Sequence, residues 1–242
     1  MMRLSFYPFA WLVAWLAIAA VGWAEPAAMA GVGKLDLRGK AACTGALIAP
    51  DLVLTAGHCL KAFDGEQSFA AKDISFRPGR SPGRPRPEPI KGALVAVHPI
   101  WGFGVGPKGM RVAFDLGLLR LQTPVAPNVA QPLGFGGLPD VSERLLIAGY
   151  RGGRGEVARQ RRCAVIEANH AVTGLGCPVD FGESGSPMMR LENGVPVIVG
   201  VLSNKGLIDG QLVGFGPVTA TGVDTVIVHL KELEALKASD NN

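Results

Sequence analysis

Charge is the first thing this chain has little of: of its 242 residues only 18% are Asp, Glu, Lys or Arg, and two are tyrosine. Four cysteines and four histidines are present, and none stands in a Cys-x-x-Cys or His-x-x-x-His spacing, which removes the usual ligand patterns of a structural or catalytic metal. No cofactor motif is found, and none is expected. Beyond residue 24 no apolar run is long enough to cross a bilayer. Helical periodicity is rare, and no internal repeat stands out, so a helical bundle or a solenoid is excluded. The net charge of +4 is modest, and its arginines crowd into Arg77 to Arg86 and Arg151 to Arg162. Such clusters read as solvated loops, so nucleic acid is not an expected partner.

What the chain has in quantity is glycine, 33 residues, and proline, 18 residues. They punctuate short runs of Val, Ile, Leu and Phe: Ala46 to Ala49, Leu52 to Leu54, Leu94 to Val97, Leu116 to Leu121, Leu145 to Ala148 and Val195 to Leu202. Short apolar runs between turn formers are the pattern of an all-β sandwich or barrel. Pro78 to Pro89 carries five prolines and three arginines, cannot pair as a central strand and reads as an exposed loop. Pro124 to Pro132 reads as a crossing between two lobes. Near the end, Val226, Leu230, Leu233 and Leu236 fall at helical spacing, which predicts one amphipathic helix over about 226–237.

At the start, Arg3 precedes an uncharged apolar run from Leu4 to Ala24, with the first acid at Glu25. This is a secretory leader pattern, with Gly22 and Ala24 as the small residues of a cut after Ala24, and Ala28-Met29-Ala30 as a second small-x-small site. An uncleaved anchor is the competing reading. Removal of residues 1–24 leaves 218 of the 242 residues, a size for one all-β unit, and lowers the net charge by one with the loss of Arg3. The expected address is extracytoplasmic, secreted or periplasmic, with no membrane attachment after removal and a monomeric state. Four cysteines behind a leader imply oxidised pairs, and counting leaves three connectivities open.

Chemistry enters with Leu54-Thr55-Ala56-Gly57-His58-Cys59, Asp115-Leu116-Gly117-Leu118-Leu119 and Gly182-Glu183-Ser184-Gly185-Ser186-Pro187. Singly, each residue reads as ordinary structure: a histidine after a strand, a charge at a strand edge, a serine in a glycine turn. Jointly they supply a nucleophile, a base and a group to orient the base. Their order, His, Asp, Ser, differs from the Asp, His, Ser of subtilisin-like enzymes and the Ser, Asp, His of α/β-hydrolases, and Ser186 stands where a Gly-x-Ser-x-Gly elbow needs its last glycine. His98, His170 and His229 have no such setting and read as structural or surface residues.

These segments resemble the Thr-Ala-Ala-His-Cys and Gly-Asp-Ser-Gly-Gly-Pro motifs of the chymotrypsin-like (trypsin-like) serine protease family, with departures at Gly57, Glu183 and Ser186. The resemblance runs from about Val32 to the C-terminal helix. It implies two six-stranded antiparallel β-barrels, about 31–123 and 133–225, with the active site in the cleft between them. His58, Asp115 and Ser184 are then the catalytic residues of a serine endopeptidase, and the backbone amides of Gly182 and Ser184 form its oxyanion hole. The resemblance also implies a Cys43–Cys59 bridge, leaving Cys163 with Cys177, each closing about 15 residues and worth roughly 3 kcal/mol. The expected partner is a peptide or protein substrate. A catalytically silent homologue that uses the scaffold for binding is the alternative, disfavoured by three intact side chains.

Two departures bear on mechanism. In zymogen-type relatives the acid beside the nucleophile pairs with a newly cut N-terminal ammonium within Ile-Val-Gly-Gly. Here the acid is Glu183, only Gly31-Val32-Gly33-Lys34 lies near that place in the chain, and Glu183 is expected to find an internal partner. The residue six before the nucleophile, acidic in trypsin, is Pro178, so no strict tryptic preference is expected. Ser203-Asn204-Lys205 takes the place of the family's Ser-Trp-Gly substrate strand, and Lys205 either favours an acidic side chain or obstructs the pocket.

Overall fold

The computed structural model describes residues 29–39, 41–61, 69–102, 111–153 and 155–240; the leader read over 1–24 lies outside them. In the first lobe the strands β1 (Val32–Leu37), β2 (Ala41–Ala49), β3 (Leu52–Thr55), β4 (Ile74–Arg77), β5 (Ile90–Val97) and β6 (Gly117–Leu121) close in the order β1-β2-β3-β6-β5-β4. Every pairing is antiparallel. Alternation decides which face turns inward: in β1, Leu35 and Leu37 are buried while Lys34 and Asp36 face outward. Leu35, Leu47, Phe76 and Leu119 share the inward face by register, and Leu54 and Leu118, one residue out of step with Val53 and Leu119, are buried on the opposite face.

The second lobe holds β7 (Gly134–Phe135), β8 (Arg144–Gly149), β9 (Arg159–Ala168), β10 (Val172–Leu175), β11 (Pro187–Glu192), β12 (Val195–Val201), β13 (Asn204–Ile208) and β14 (Gln211–Pro217), ordered β13-β14-β10-β9-β8-β11-β12-β7. Its inner six strands, β14 to β12, curl until their ends meet through a Gly200–Val218 bridge and a hydrogen bond from Ser203 N–H to the Phe215 carbonyl, 2.9 Å. The second lobe is thus a six-strand barrel closed at one bridge, with β13 extending one edge and β7 pairing parallel to β12 at the other.

The apolar run of β8 splits by parity: Leu145 and Ile147 enter the second lobe's core, whereas Leu146 and Ala148 join the core shared with the first lobe. One hydrophobic core therefore runs through the lobe interface, and the crevice above it has a rigid floor. The C-terminal helix spans Thr219–Ser239, beginning about two turns before the expected Val226. Three of its first four residues, Thr219, Thr221 and Gly222, are poor helix formers, and burial of Thr219, Gly222 and Val223 imposes the conformation. Leu236, expected on the apolar face, is exposed. Arg120 of β6 pins the helix by contacting Glu234 and, from its other nitrogen, Asp51, each at 2.8 Å.

Cys43 is bonded to Cys59 and Cys163 to Cys177. The proline loop 78–89 is a coil that is mostly exposed, and Arg86 reaches from it to Glu156 of the second lobe at 2.8 Å. Chain-entropy reasoning predicts that the double variant Cys163→Ala, Cys177→Ala loses about 3 kcal/mol in a denaturant titration, with an unchanged fold by circular dichroism.

Candidate active site

His58 sits in the short 3-10 turn Gly57–Cys59 that follows β3, and the bond from Cys59 to Cys43 ties that turn back to β2. Asp115 follows the 3-10 turn Val112–Phe114, just before β6, and is 1% exposed. Because β3 pairs with β6 through Thr55 and Gly117, the two turns emerge side by side. The result is a three-point capture of one buried carboxylate. Asp115 Oδ1 accepts the His58 backbone N–H at 2.7 Å, Oδ2 lies 2.7 Å from His58 Nδ1, and the Ser203 hydroxyl donates to Oδ2. The contact at Nδ1 holds a proton there, and among the described residues Nε2 has no hydrogen-bond partner.

Burial pulls the His58 imidazolium down, yet the charge of Asp115 and its hydrogen bond more than offset this, so the His58 pKa lies above its ordinary value. Trp101 flanks the ring at 6.4 Å between centroids, with its indole N–H donating to the Lys61 carbonyl at 3.0 Å.

Ser184 lies on the loop between β10 and β11, which is built from the second lobe but clamped by the first. Thr44 N–H donates to the Ser184 carbonyl at 2.8 Å, and the Thr44 hydroxyl donates to the Gly182 carbonyl at 2.8 Å while accepting the Tyr150 N–H at 3.0 Å. Thr55 Oγ1 in turn donates to the Thr44 carbonyl, 2.8 Å. Gly182 and Gly185 have φ of +85° and +82°, a region that side chains avoid. A Cβ at Gly185 would also fall 2.0 Å from the Thr44 carbonyl oxygen and 2.1 Å from Thr55 Oγ1.

The backbone amides of Gly182 and Ser184 have no acceptor among the described residues. For Gly182 the orientation follows from its own peptide plane. The Phe181 carbonyl accepts the Gly152 N–H at 2.6 Å, and a trans peptide then turns the Gly182 N–H to the opposite side. Beneath this loop Glu183, fully buried, takes an ion pair from Arg161 of β9 and a hydrogen bond from the Asp180 N–H at 2.9 Å. Arg151 holds Asp180 from the solvent side, 3.4 Å. The internal partner expected for Glu183 is Arg161.

His58, Asp115, Gly182, Ser184, Ser203, Asn204 and Lys205 all line one cleft of about 920 Å³ between the lobes. No hydrogen bond joins His58 to Ser184 among the described residues. Pro178 stands apart: it is exposed and does not line the cleft, where its neighbour Val179 does. Ser203, expected to bind substrate, spends its hydroxyl on Asp115. Sequence reasoning missed Thr44, Arg161, Trp101 and the Tyr150–Gly153 turn. Only Thr44, beside Cys43, lay near a recognised motif; Arg161 is one arginine among many in its segment.

A buried carboxylate orienting an imidazole, a hydroxyl in the same cleft and two unpaired amides beside it are the parts that acyl transfer needs. No curated protein matches the sequence. Among solved structures, one described as a Glu endopeptidase in complex with MPD matches with a TM-score of 0.66 at 22% identity, covering 84% of this chain and 91% of that one, which shows the fold.

Substituting alanine at Gly185 forces that Cβ into the Thr44 backbone, so Gly185→Ala is expected to cost at least about 2 kcal/mol in denaturant unfolding. Thr44→Val, which leaves the Gly182 carbonyl and the Tyr150 amide unpaired, should cost about 2–4 kcal/mol.

The model of the trypsin-like peptidase domain matches residues 43–201, most of the chain, and the protein belongs to that family as a serine endopeptidase.

Proposed function

We propose that Ser184 attacks the scissile carbonyl, that His58 takes its proton through Nε2 and delivers it to the leaving amine, and that Asp115 holds the imidazole and stabilises the imidazolium. The tetrahedral oxyanion is received by the amides of Gly182 and Ser184, each worth about 3–4 kcal/mol of transition-state stabilisation. Collapse gives an acyl-enzyme, which water hydrolyses by the reverse proton path. The observation that supports this reading most is the pair of unsatisfied amides beside Ser184, held in the same cleft as an imidazole whose Nδ1 is already engaged by a buried carboxylate.

Two further points belong to the same reading. The Arg161 guanidinium supplies under Glu183 the positive charge that a new N-terminus brings in zymogen-type relatives, so no activating cut is needed after the leader is removed. Met29 and Ala30 are buried against the first barrel, and the Ala30 carbonyl accepts the Gly79 N–H at 2.9 Å. A cut after Ala24 keeps them, whereas a cut after Ala30 removes both. Two disulfides support an extracytoplasmic address, and among the described residues no helix is long and apolar enough to cross a membrane.

Protein beginning at Glu25 is expected to react with a fluorophosphonate at one site, lost in Ser184→Ala, and to cleave casein with no further processing. A protein that stays unlabelled while folded is the silent homologue. Arg161→Met strands a buried carboxylate and should cost about 3–5 kcal/mol together with most of the turnover.

The pH dependence carries its own sign. The raised His58 pKa means that the imidazolium–carboxylate pair stabilises the fold fully below the unfolded histidine value of about 6.5, and that this contribution disappears as pH climbs through the folded value. Catalysis runs the other way, since the base must be neutral: kcat/KM should rise through a single ionisation above about 6.5. In Asp115→Asn only burial remains to act on the ring, so the limb should move to lower pH while the plateau falls by about 10⁴.

A further inference from the structure

The cleft contains a cation that the proposed chemistry does not use. Lys205 lies on β13, two residues after Ser203, and its Nζ sits over the Phe181 ring at 4.5 Å from the centroid. Phe181 belongs to the nucleophile loop, three residues before Ser184, and is 77% exposed. The two side chains come from opposite segments lining the cleft and touch each other. Behind them the space is closed by apolar groups. Val179 and Leu202 line the cleft yet are buried in the second lobe's core, and both pack on Gly214, where a Cβ would lie 2.7 Å from Val179 Cγ1 and 2.9 Å from Leu202 Cδ1.

A side chain entering beside Ser184 thus meets an apolar floor with no group to receive a charge, and an ammonium at its mouth. The other charges lining the cleft are Arg111, also cationic, and Asp115 and Asp180. Asp115 is buried and occupied by His58 and Ser203. Asp180 accepts the Phe181 N–H of its own loop at 2.8 Å and is paired with Arg151, and that backbone hydrogen bond first, then the Arg151 contact, hold its carboxyl below the usual range. Lys205 contributes its charge to that same shift from its place over the Phe181 ring. An exposed cation–π contact is worth about 0.5–1 kcal/mol, so a carboxylate arriving at the cleft displaces the ring at little cost.

We propose that Lys205 is a specificity-determining residue: its ammonium, parked on Phe181 at the mouth of the cleft, binds the carboxylate of an aspartate or glutamate whose carbonyl carbon Ser184 attacks. This rests on the serine endopeptidase reading above and adds the substrate class to it. Recognition at the mouth, over an uncharged floor, also disfavours lysine and arginine, because their charge meets Lys205 first.

The test compares isosteric pairs, Asp with Asn and Glu with Gln, in which size is held constant and charge alone varies, together with Lys and Arg, at the cleaved position of otherwise identical peptides. Wild-type protein starting at Glu25 should favour the acid of each pair by about tenfold in kcat/KM, a preference that high salt weakens. Lys205→Met should level the pairs, and Lys205→Glu should reverse the order in favour of lysine. Equal cleavage of acid and amide by the wild type, a wild-type preference for arginine, or an acid preference that survives Lys205→Met overturns the proposal. Fluorophosphonate labelling of the same wild-type sample separates the two levels: label without charge discrimination rejects only the role of Lys205, and no label rejects the protease mechanism with it.

Discussion

Everything at the cleft depends on how two lobes are held in one registration, and the residue that ties them at the Ser184 loop, through its backbone N–H and its hydroxyl, is Thr44. It belongs to β2 of the first barrel, is fully buried, and makes three hydrogen bonds to the second lobe: to the Ser184 carbonyl, the Gly182 carbonyl and the Tyr150 amide. Buried polar groups are costly unless satisfied, and here each satisfies another. Because Cys43, its neighbour, is bonded to Cys59 beside His58, the residue that grips the nucleophile loop is covalently close to the one that carries the imidazole. A shift of one lobe against the other would break these bonds together and leave several buried groups without partners.

The second constraint is charge. A carboxylate at position 183, taken fully out of water, needs a permanent cation, and Arg161 provides it from a strand of the same lobe. Pairing within one lobe means that this part of the site is built when the lobe folds. Above it, the Arg151–Gly153 turn bonds the Phe181 carbonyl and so fixes the direction of the Gly182 amide, with the Arg151–Asp180 pair on the outer side. The loop that carries Ser184 is thereby held from below by a buried ion pair and from the side by a backbone hydrogen bond. On the mechanism proposed above, this is preorganisation: the Gly182 amide is aimed before charge develops.

Much of this could be read from residues alone, for physical reasons that differ by element. His58, Asp115 and Ser184 stood out because each sits in a short motif whose neighbours have local duties: Cys59 as an anchor, Gly182 and Gly185 as backbone exceptions. β2, β3, β6, β8 and β12 were legible because buried strands are runs of Leu, Val and Ile. β9 was not, since it opens with Arg159-Gln160-Arg161-Arg162, none of them buried, and β7 was not, being two exposed residues held by a neighbour's edge. The start of the C-terminal helix hid behind weak helix formers. Pro178 was placed in the cleft by counting back from Ser184, and the chain there turns so that Val179 lines it instead. Thr44 and Arg161 carry their roles through contacts 138 and 22 residues away in sequence, and no local pattern marks such partners.

The central claim is that hydroxyl, imidazole and oxyanion donors form one site that is ready before substrate arrives. A crystal structure of the mature protein inhibited by a peptide boronic acid measures this directly, because the tetrahedral boronate imitates the reacting carbon. The account predicts boron bonded to Ser184 Oγ, one boronate oxygen at about 2.7–3.1 Å from the Gly182 and Ser184 amides, and a second oxygen on His58 Nε2. Boron bonded elsewhere, or a Gly182 amide turned away from it with the Phe181 carbonyl released from Gly152, would contradict it.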